Sequence, residues 1–76
     1  MDKVFDLNEL AKYNGKDGNE AYVAIDGVVY DVTNIKGWKN GEHHGLTAGK
    51  DLSEAIERAP HKKNVLKKLS KVGVLK

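Results

Sequence analysis

Two histidines flank a short apolar stripe in this chain. His43 lies in Asn40-Gly41-Glu42-His43-His44-Gly45, where glycines let backbone approach a ligand closely. His61 directly follows Pro60, whose ring fixes the local chain path. Between them, Leu52, Ala55, Ile56 and Ala59 fall at i, i+3, i+4 and i+7, the spacing of one apolar helix face. Two imidazoles converging across an apolar slot can hold a haem iron from both axial sides. Such a centre suits one-electron transfer, because two protein ligands leave no open position on the metal.

Other chemistries need other residues. A single exposed histidine usually carries no ligand role, and here it is the placement around a striped helix that adds weight. A zinc site without cysteine would draw on His43, His44, His61 and a carboxylate such as Glu42 or Asp51. The adjacent His43 and His44 point apart in extended chain, and no His-Glu-x-x-His is present. Ser53 and Ser70 lack the glycine-rich elbow of a nucleophile, and no glycine-rich phosphate loop follows a strand. Asp51 and Glu54 are explained by helix capping. The chain therefore reads as a binding or carrier module and not as an enzyme.

The elements that must position the histidines follow from local chemistry. Val4-Phe5 reads as an edge strand. Asp6, with Glu9 three residues on, is a capping box for a helix through Leu7, Leu10 and Ala11, ended by Asn14-Gly15. Residues 21–25 and 28–32 alternate as strands around Asp26-Gly27, a type I′ hairpin signal. Val23 and Ile25 share one face of the first strand, and Val28, Tyr30 and Val32 one face of the second. Thr33 to Gly45, carrying Ile35, Trp38 and three glycines, reads as loop. Asp51 caps the striped helix, and Pro60 stops it. A last helix would use Val65, Leu66 and Leu69 inside and Lys62, Lys63, Lys67 and Lys68 outside, before a strand of Val72, Val74 and Leu75. The class is α+β, a small mixed sheet with short helices gathered at one end.

Seventy-six residues suit a single domain, 1–76. A chain this short buries only about 60–65% of its unfolded surface, so a large ligand would strengthen a thin core. With no cysteine, disulfides, cysteine-held zinc, iron–sulfur clusters and covalent haem attachment through Cys-x-x-Cys-His are excluded. No apolar run is long enough for a membrane span, and the first residues lack the apolar region of a secretory leader, so a cytoplasmic location is expected. The net charge of +2 is divided unevenly: residues 1–57 carry eleven acids and six bases, residues 58–76 seven bases and no acid. The plain reading of that end is a solvated lysine face; the functional one is attraction of an acidic partner. One arginine and no interleaved aromatics argue against nucleic acid. A monomer is the default.

Several stretches resemble the cytochrome b5 family, in the family's order. Val28-Val29-Tyr30-Asp31-Val32-Thr33 is similar to its "vyDvT" strand, and Ala48-Gly49-Lys50-Asp51-Leu52-Ser53 to its "AGxDaT" helix start. His61 stands thirteen residues after Ala48, as the second axial histidine does, and Val72-Gly73-Val74-Leu75 resembles the closing "iG.l" strand. The resemblance runs from Val4 to Leu75. It departs at the first ligand, where the family's His-Pro-Gly-Gly is replaced by His43-His44-Gly45-Leu46. The path from that histidine to Ala48 is shorter than in typical members, which implies that the first ligand helix is truncated or replaced by a turn. Trp38-Lys39-Asn40-Gly41-Glu42-His43 with Pro60-His61 is similar to a short prokaryotic branch, and that likeness favours His43 over His44.

The resemblance implies a cytochrome b5-like fold holding haem b non-covalently between His43 and His61. Leu52, Ile56, Leu66, Leu69, Ile35 and Leu46 would line the apolar slot, and Val23, Ile25, Tyr30 and Trp38 the supporting core. It further implies electron exchange with a redox protein, a reductase or an acceptor, with Lys62 and Lys63 placed to attract an acidic one. The competing expectation is haem storage or sensing, or an apolar, steroid-like ligand with the histidines idle. A progesterone-receptor-like branch of the family lacks the histidine pair, and retention of both histidines argues against membership there.

Overall fold

The computed structural model describes residues 3–35, 42–43, 46–57 and 69–76. The main sheet has four strands in the order β1-β6-β3-β2: β1 (Lys3–Phe5), β2 (Tyr22–Ile25), β3 (Val28–Asp31) and β6 (Ser70–Leu75). β1 runs parallel to β6, while β6–β3 and β3–β2 are antiparallel, so the sheet is mixed. A second ladder joins β4 (Glu42–His43) to β5 (Leu46–Thr47). Two short helices, α1 (Leu7–Leu10) and α2 (Ser53–Glu57), complete the described elements.

Local signals account for most of this. Asp6 is extended (φ −101°, ψ 175°) and its Oδ1 accepts from the Glu9 N–H at 2.7 Å, which caps α1. Glu9 turns its carboxylate to Lys3 Nζ at 2.7 Å. α1 ends after one turn at Leu10, earlier than Asn14-Gly15, because the Lys12 and Tyr13 N–H groups turn to carbonyls three residues back. In the β2–β3 turn, Asp26 (φ 51°) and Gly27 (φ 81°) both take the left-handed conformation a type I′ hairpin requires.

Alternation along β2 sends side chains into two apolar clusters. Val23 and Ile25 join Ala21, Val32, Ala48 and Leu52 on one face. Ala24 joins Phe5, Leu10 and Val29 on the other, where Phe5 meets Tyr13 and Tyr22 edge-on and the two tyrosines stack at 4.3 Å. Phe5, Leu10, Val23, Val29 and Val32 are fully buried, and no polar or charged residue is buried among the described residues.

The outer edge of β2 is covered by residues 49–52. Gly49 N–H donates to Tyr22 O at 2.7 Å, Ala24 N–H to Lys50 O at 3.1 Å and Leu52 N–H to Ala24 O at 2.7 Å. Gly49 sits at φ 84°, and a Cβ there would lie 3.2 Å from the Ala11 carbonyl oxygen, so the sharp entry to this strap needs glycine. The strap fixes the start of α2 to the sheet.

Candidate functional site

The face of the sheet built by Val23, Ile25 and Val32 carries the candidate site. Ala48 and Leu52, 3% and 6% exposed, close over these residues from the strap. Around this buried patch stand Tyr30, Leu46, Ala55 and Leu69, each packed on it while keeping part of its surface open. The outcome is an apolar wall with unspent apolar surface, made by residues from β3, β5, α2 and the approach to β6.

Three of the residues expected to line the slot, Leu46, Leu52 and Leu69, meet on this one wall. Ile35 does not join them. It is 37% exposed, in the turn after β3, where its N–H donates to Val32 O at 3.2 Å. Ile56 lies in α2, described by its backbone. Leu66 and His61 lie outside the described residues, as do Trp38, His44 and Val65; of the expected last helix only Leu69 is described, and it stands outside any helix, directly before β6.

His43 is placed by its backbone. In the β4–β5 ladder it pairs directly with Leu46, and Glu42 pairs with Thr47. This register sets His43 beside a residue that packs on the wall, with His44 and Gly45 as the two residues between the strands. The likeness implied a first ligand helix truncated or replaced by a turn; among the described residues this stretch holds the short β4–β5 ladder. Two residues per strand have no readable period, so the sequence showed only a glycine-rich loop there.

Both histidine-bearing segments begin and end at the same cluster. Val32 and Leu46, which bracket His43 in the sequence, both belong to the cluster. Ala55 of α2 and Leu69, which bracket His61 in the sequence, both pack on the same wall. Among the described residues no group of three His, Asp or Glu side chains could hold a metal ion.

Two hydroxyl ties that sequence reasoning did not name lie next in the chain to the wall residues Val32 and Leu52. Thr33 Oγ1 accepts from the Ala21 N–H at 2.9 Å, and the Thr33 N–H donates to Asp31 Oδ1 at 2.8 Å, closing the base of the β2–β3 hairpin. Ser53 Oγ accepts from the Asp26 N–H at 2.7 Å, joining α2 to the hairpin turn. Asp-x-Thr and Asp-x-Ser, at Asp31–Thr33 and Asp51–Ser53, were the available local signals, since such pairs favour side-chain-to-backbone turns. Their partners in the fold are not legible from spacing.

The described lining suits a largely apolar group. The wall is aliphatic apart from Tyr30 and holds no buried polar residue, so it would meet a macrocycle face without orphaning hydrogen-bonding groups. Imidazole is a fitting axial donor for haem iron.

The comparisons with known proteins agree with this architecture. The family model described as "Cytochrome b5-like Heme/Steroid binding domain" matches residues 6–76. The chain belongs to the cytochrome b5-like family. Its fold is similar to that of a Hadesarchaea cytochrome b5 domain protein, 55% identical with a TM-score of 0.92, the match covering 97% of this chain and 99% of that one. It is also similar to a Methanococcoides burtonii cytochrome b5 domain protein, 48% identical with a TM-score of 0.93 and 97% of each chain covered. Among curated proteins, a probable steroid-binding protein 3 from Arabidopsis thaliana is 43% identical over 54 residues. That match takes in 68% of this chain and 54% of the relative. A neuferricin homolog from Drosophila pseudoobscura pseudoobscura is 46% identical over 49 residues, 63% of this chain and 17% of the relative. The chain thus spans about half of one curated relative and a sixth of the other. No helix among the described residues is long and apolar enough to cross a membrane.

Proposed function

We propose that residues 1–76 form a single domain that holds haem b between His43 and His61 and exchanges one electron at a time with a protein partner. The observation that carries this reading is the meeting of Leu46, Leu52 and Leu69 on one apolar wall, with His43 paired to Leu46 in the β4–β5 ladder. His43 is the first ligand in this account because its ladder partner packs on the wall; His44 lies one residue further along, between the strands. Leu46, Leu52 and Leu69 contact the macrocycle, joined by Ile56 and Leu66. Haem would supply a reversible one-electron couple when bound, with His43 and His61 as the residues that would hold it. The chain's own contribution is to hold the ring, exclude water from its faces and set its surroundings, which tune the potential.

In this reading the domain is a carrier and not an enzyme, it works as a monomer in the cytoplasm, and Lys62 and Lys63 beside His61 attract an acidic redox partner. Ionic strength then slows association with that partner.

The test is a haemin titration of wild type, His43→Ala, His44→Ala and His61→Ala, read by absorption. One haemin per chain, with the low-spin spectrum lost in the His43 and His61 variants and kept in His44→Ala, supports the assignment. Loss with His44→Ala alone moves the first ligand by one residue. A second reading, an apolar steroid-like ligand on the same wall, draws on the name of the Arabidopsis relative and on the wall's lack of buried polar groups. Uptake of such a ligand with no specific haemin binding would favour it.

A further inference from the structure

We propose that Ser53 is a positioning residue for the haem site, acting through α2; this rests on the haem reading above. The first turn of α2 is tied to the sheet by side-chain and backbone hydrogen bonds from Leu52 and Ser53. Ser53 stands at the first residue of α2 and is used at both ends of its hydroxyl. Oγ accepts from the Asp26 N–H at 2.7 Å and donates to Asp51 Oδ1 at 2.6 Å. The same Asp51 oxygen accepts from the Ser53 N–H at 3.0 Å. Asp26 is the first left-handed residue of the β2–β3 turn. Proton and lone pair are thus both committed, and the hydroxyl has a fixed direction.

The residues that depend on this tie belong to the wall. Leu52, directly before Ser53, is buried in the cluster, and Ala55, two residues after it, packs on the same cluster. The chain that leads to His61 continues from this helix. The backbone strap holds α2 along the β2 edge through Leu52 N–H to Ala24 O, and Ser53 adds the constraint at the hairpin tip. Without the hydroxyl, α2 keeps the strap but can pivot about it, and the wall residues Leu52 and Ala55 pivot with it.

Ser53→Ala removes the tie, and Ser53→Thr keeps the hydroxyl. The first measurement is amide hydrogen exchange at Asp26 in the haem-free protein. The second is the rate of haemin transfer from the loaded protein to an excess of apomyoglobin, with the midpoint potential measured alongside. The expected result is Asp26 protection lost in Ser53→Ala and kept in Ser53→Thr. Haemin loss becomes several-fold to about tenfold faster in Ser53→Ala, as for one hydrogen bond, and is restored towards wild type in Ser53→Thr. Unchanged Asp26 exchange in Ser53→Ala overturns the tie itself. Lost protection with an unchanged haemin rate and potential overturns the positioning role and leaves a local structural bond. Wild type that takes up no haemin, with Asp26 still protected through Ser53, sinks the haem reading and the positioning role with it while the tie stands.

Discussion

Gly73 lies where three strands meet, and replacing it with alanine tests the sheet that carries the site. It faces Lys3 of β1 on one side and Val29 of β3 on the other. A Cβ at this position would overlap the Lys3 carbonyl oxygen and come within 2.8 Å of Phe5 Cε1. The first obstacle is backbone held in a ladder, and the second is a ring that is 1% exposed and boxed in by Tyr13 and Tyr22. Neither can give way locally, so β1 must separate from β6. Overpacking of this kind costs about 1–3 kcal/mol, and a backbone obstacle puts Gly73→Ala at the upper end or beyond. A domain of this size has roughly 4–11 kcal/mol in hand. A loss of about 3 kcal/mol lowers the melting temperature by roughly 12–24 °C. Urea unfolding and thermal melts of the haem-free protein, followed by circular dichroism, measure it. Gly18→Ala is the control: it has φ 85° but nothing within 4 Å of the added Cβ, so it carries the left-handed penalty alone, about 1–2 kcal/mol. Gly73→Ala as mild as Gly18→Ala would refute the reasoning and mean that β1 is not tightly seated.

Leu52→Ala should destabilise the protein by about 2–5 kcal/mol, since the side chain is 6% exposed in the cluster, and it should also weaken haemin retention. Leu10→Ala, fully buried on the opposite face, should cost a similar amount with little effect on retention; equal effects on haemin would contradict the assignment of faces. Stability should fall in alkali. Desolvation, and then the Glu20 carboxylate that accepts from the Tyr22 hydroxyl at 3.2 Å, raise the Tyr22 pKa above its ordinary 10.0. The hydrogen bond and charge of Glu9 raise that of Lys3 above 10.5. The folded state holds these protons more tightly, so their contribution is intact below about pH 10 and is lost as pH rises through the raised values. Urea titrations across that range should show the decline, smaller in Tyr22→Phe; an identical decline in that variant would remove Tyr22 from the explanation.

Much of the architecture was legible because its causes are local. Asp26-Gly27 specified a turn that only left-handed residues make, and the alternation of Val23, Ile25, Tyr30 and Val32 assigned a face before any coordinates. Asp6 and Glu9 marked the start of α1, although Glu9 pairs with Lys3 where a capping box would turn it back to Asp6. Leu52 stood out through the apolar stripe, Leu69 through the apolar face of the expected last helix, and Leu46 through the family likeness alone. Ile35, named through the same likeness, stands exposed in the turn after Val32 and outside the cluster. The Gly49–Leu52 strap and the Ser53 tie to Asp26 were not legible because their partners lie about 27 residues away in sequence, where no periodicity applies. The ladder that places His43 was hidden by its shortness.

The central claim is that two histidines fill both axial positions of one haem. The most direct measurement is the absorption spectrum of the haemin-loaded wild type, oxidised, reduced with dithionite, and then exposed to carbon monoxide. The account gives a low-spin six-coordinate spectrum in both oxidation states, and little or slow change on adding carbon monoxide. A rapid, complete carbon monoxide spectrum would show an accessible iron position and contradict the two-histidine carrier.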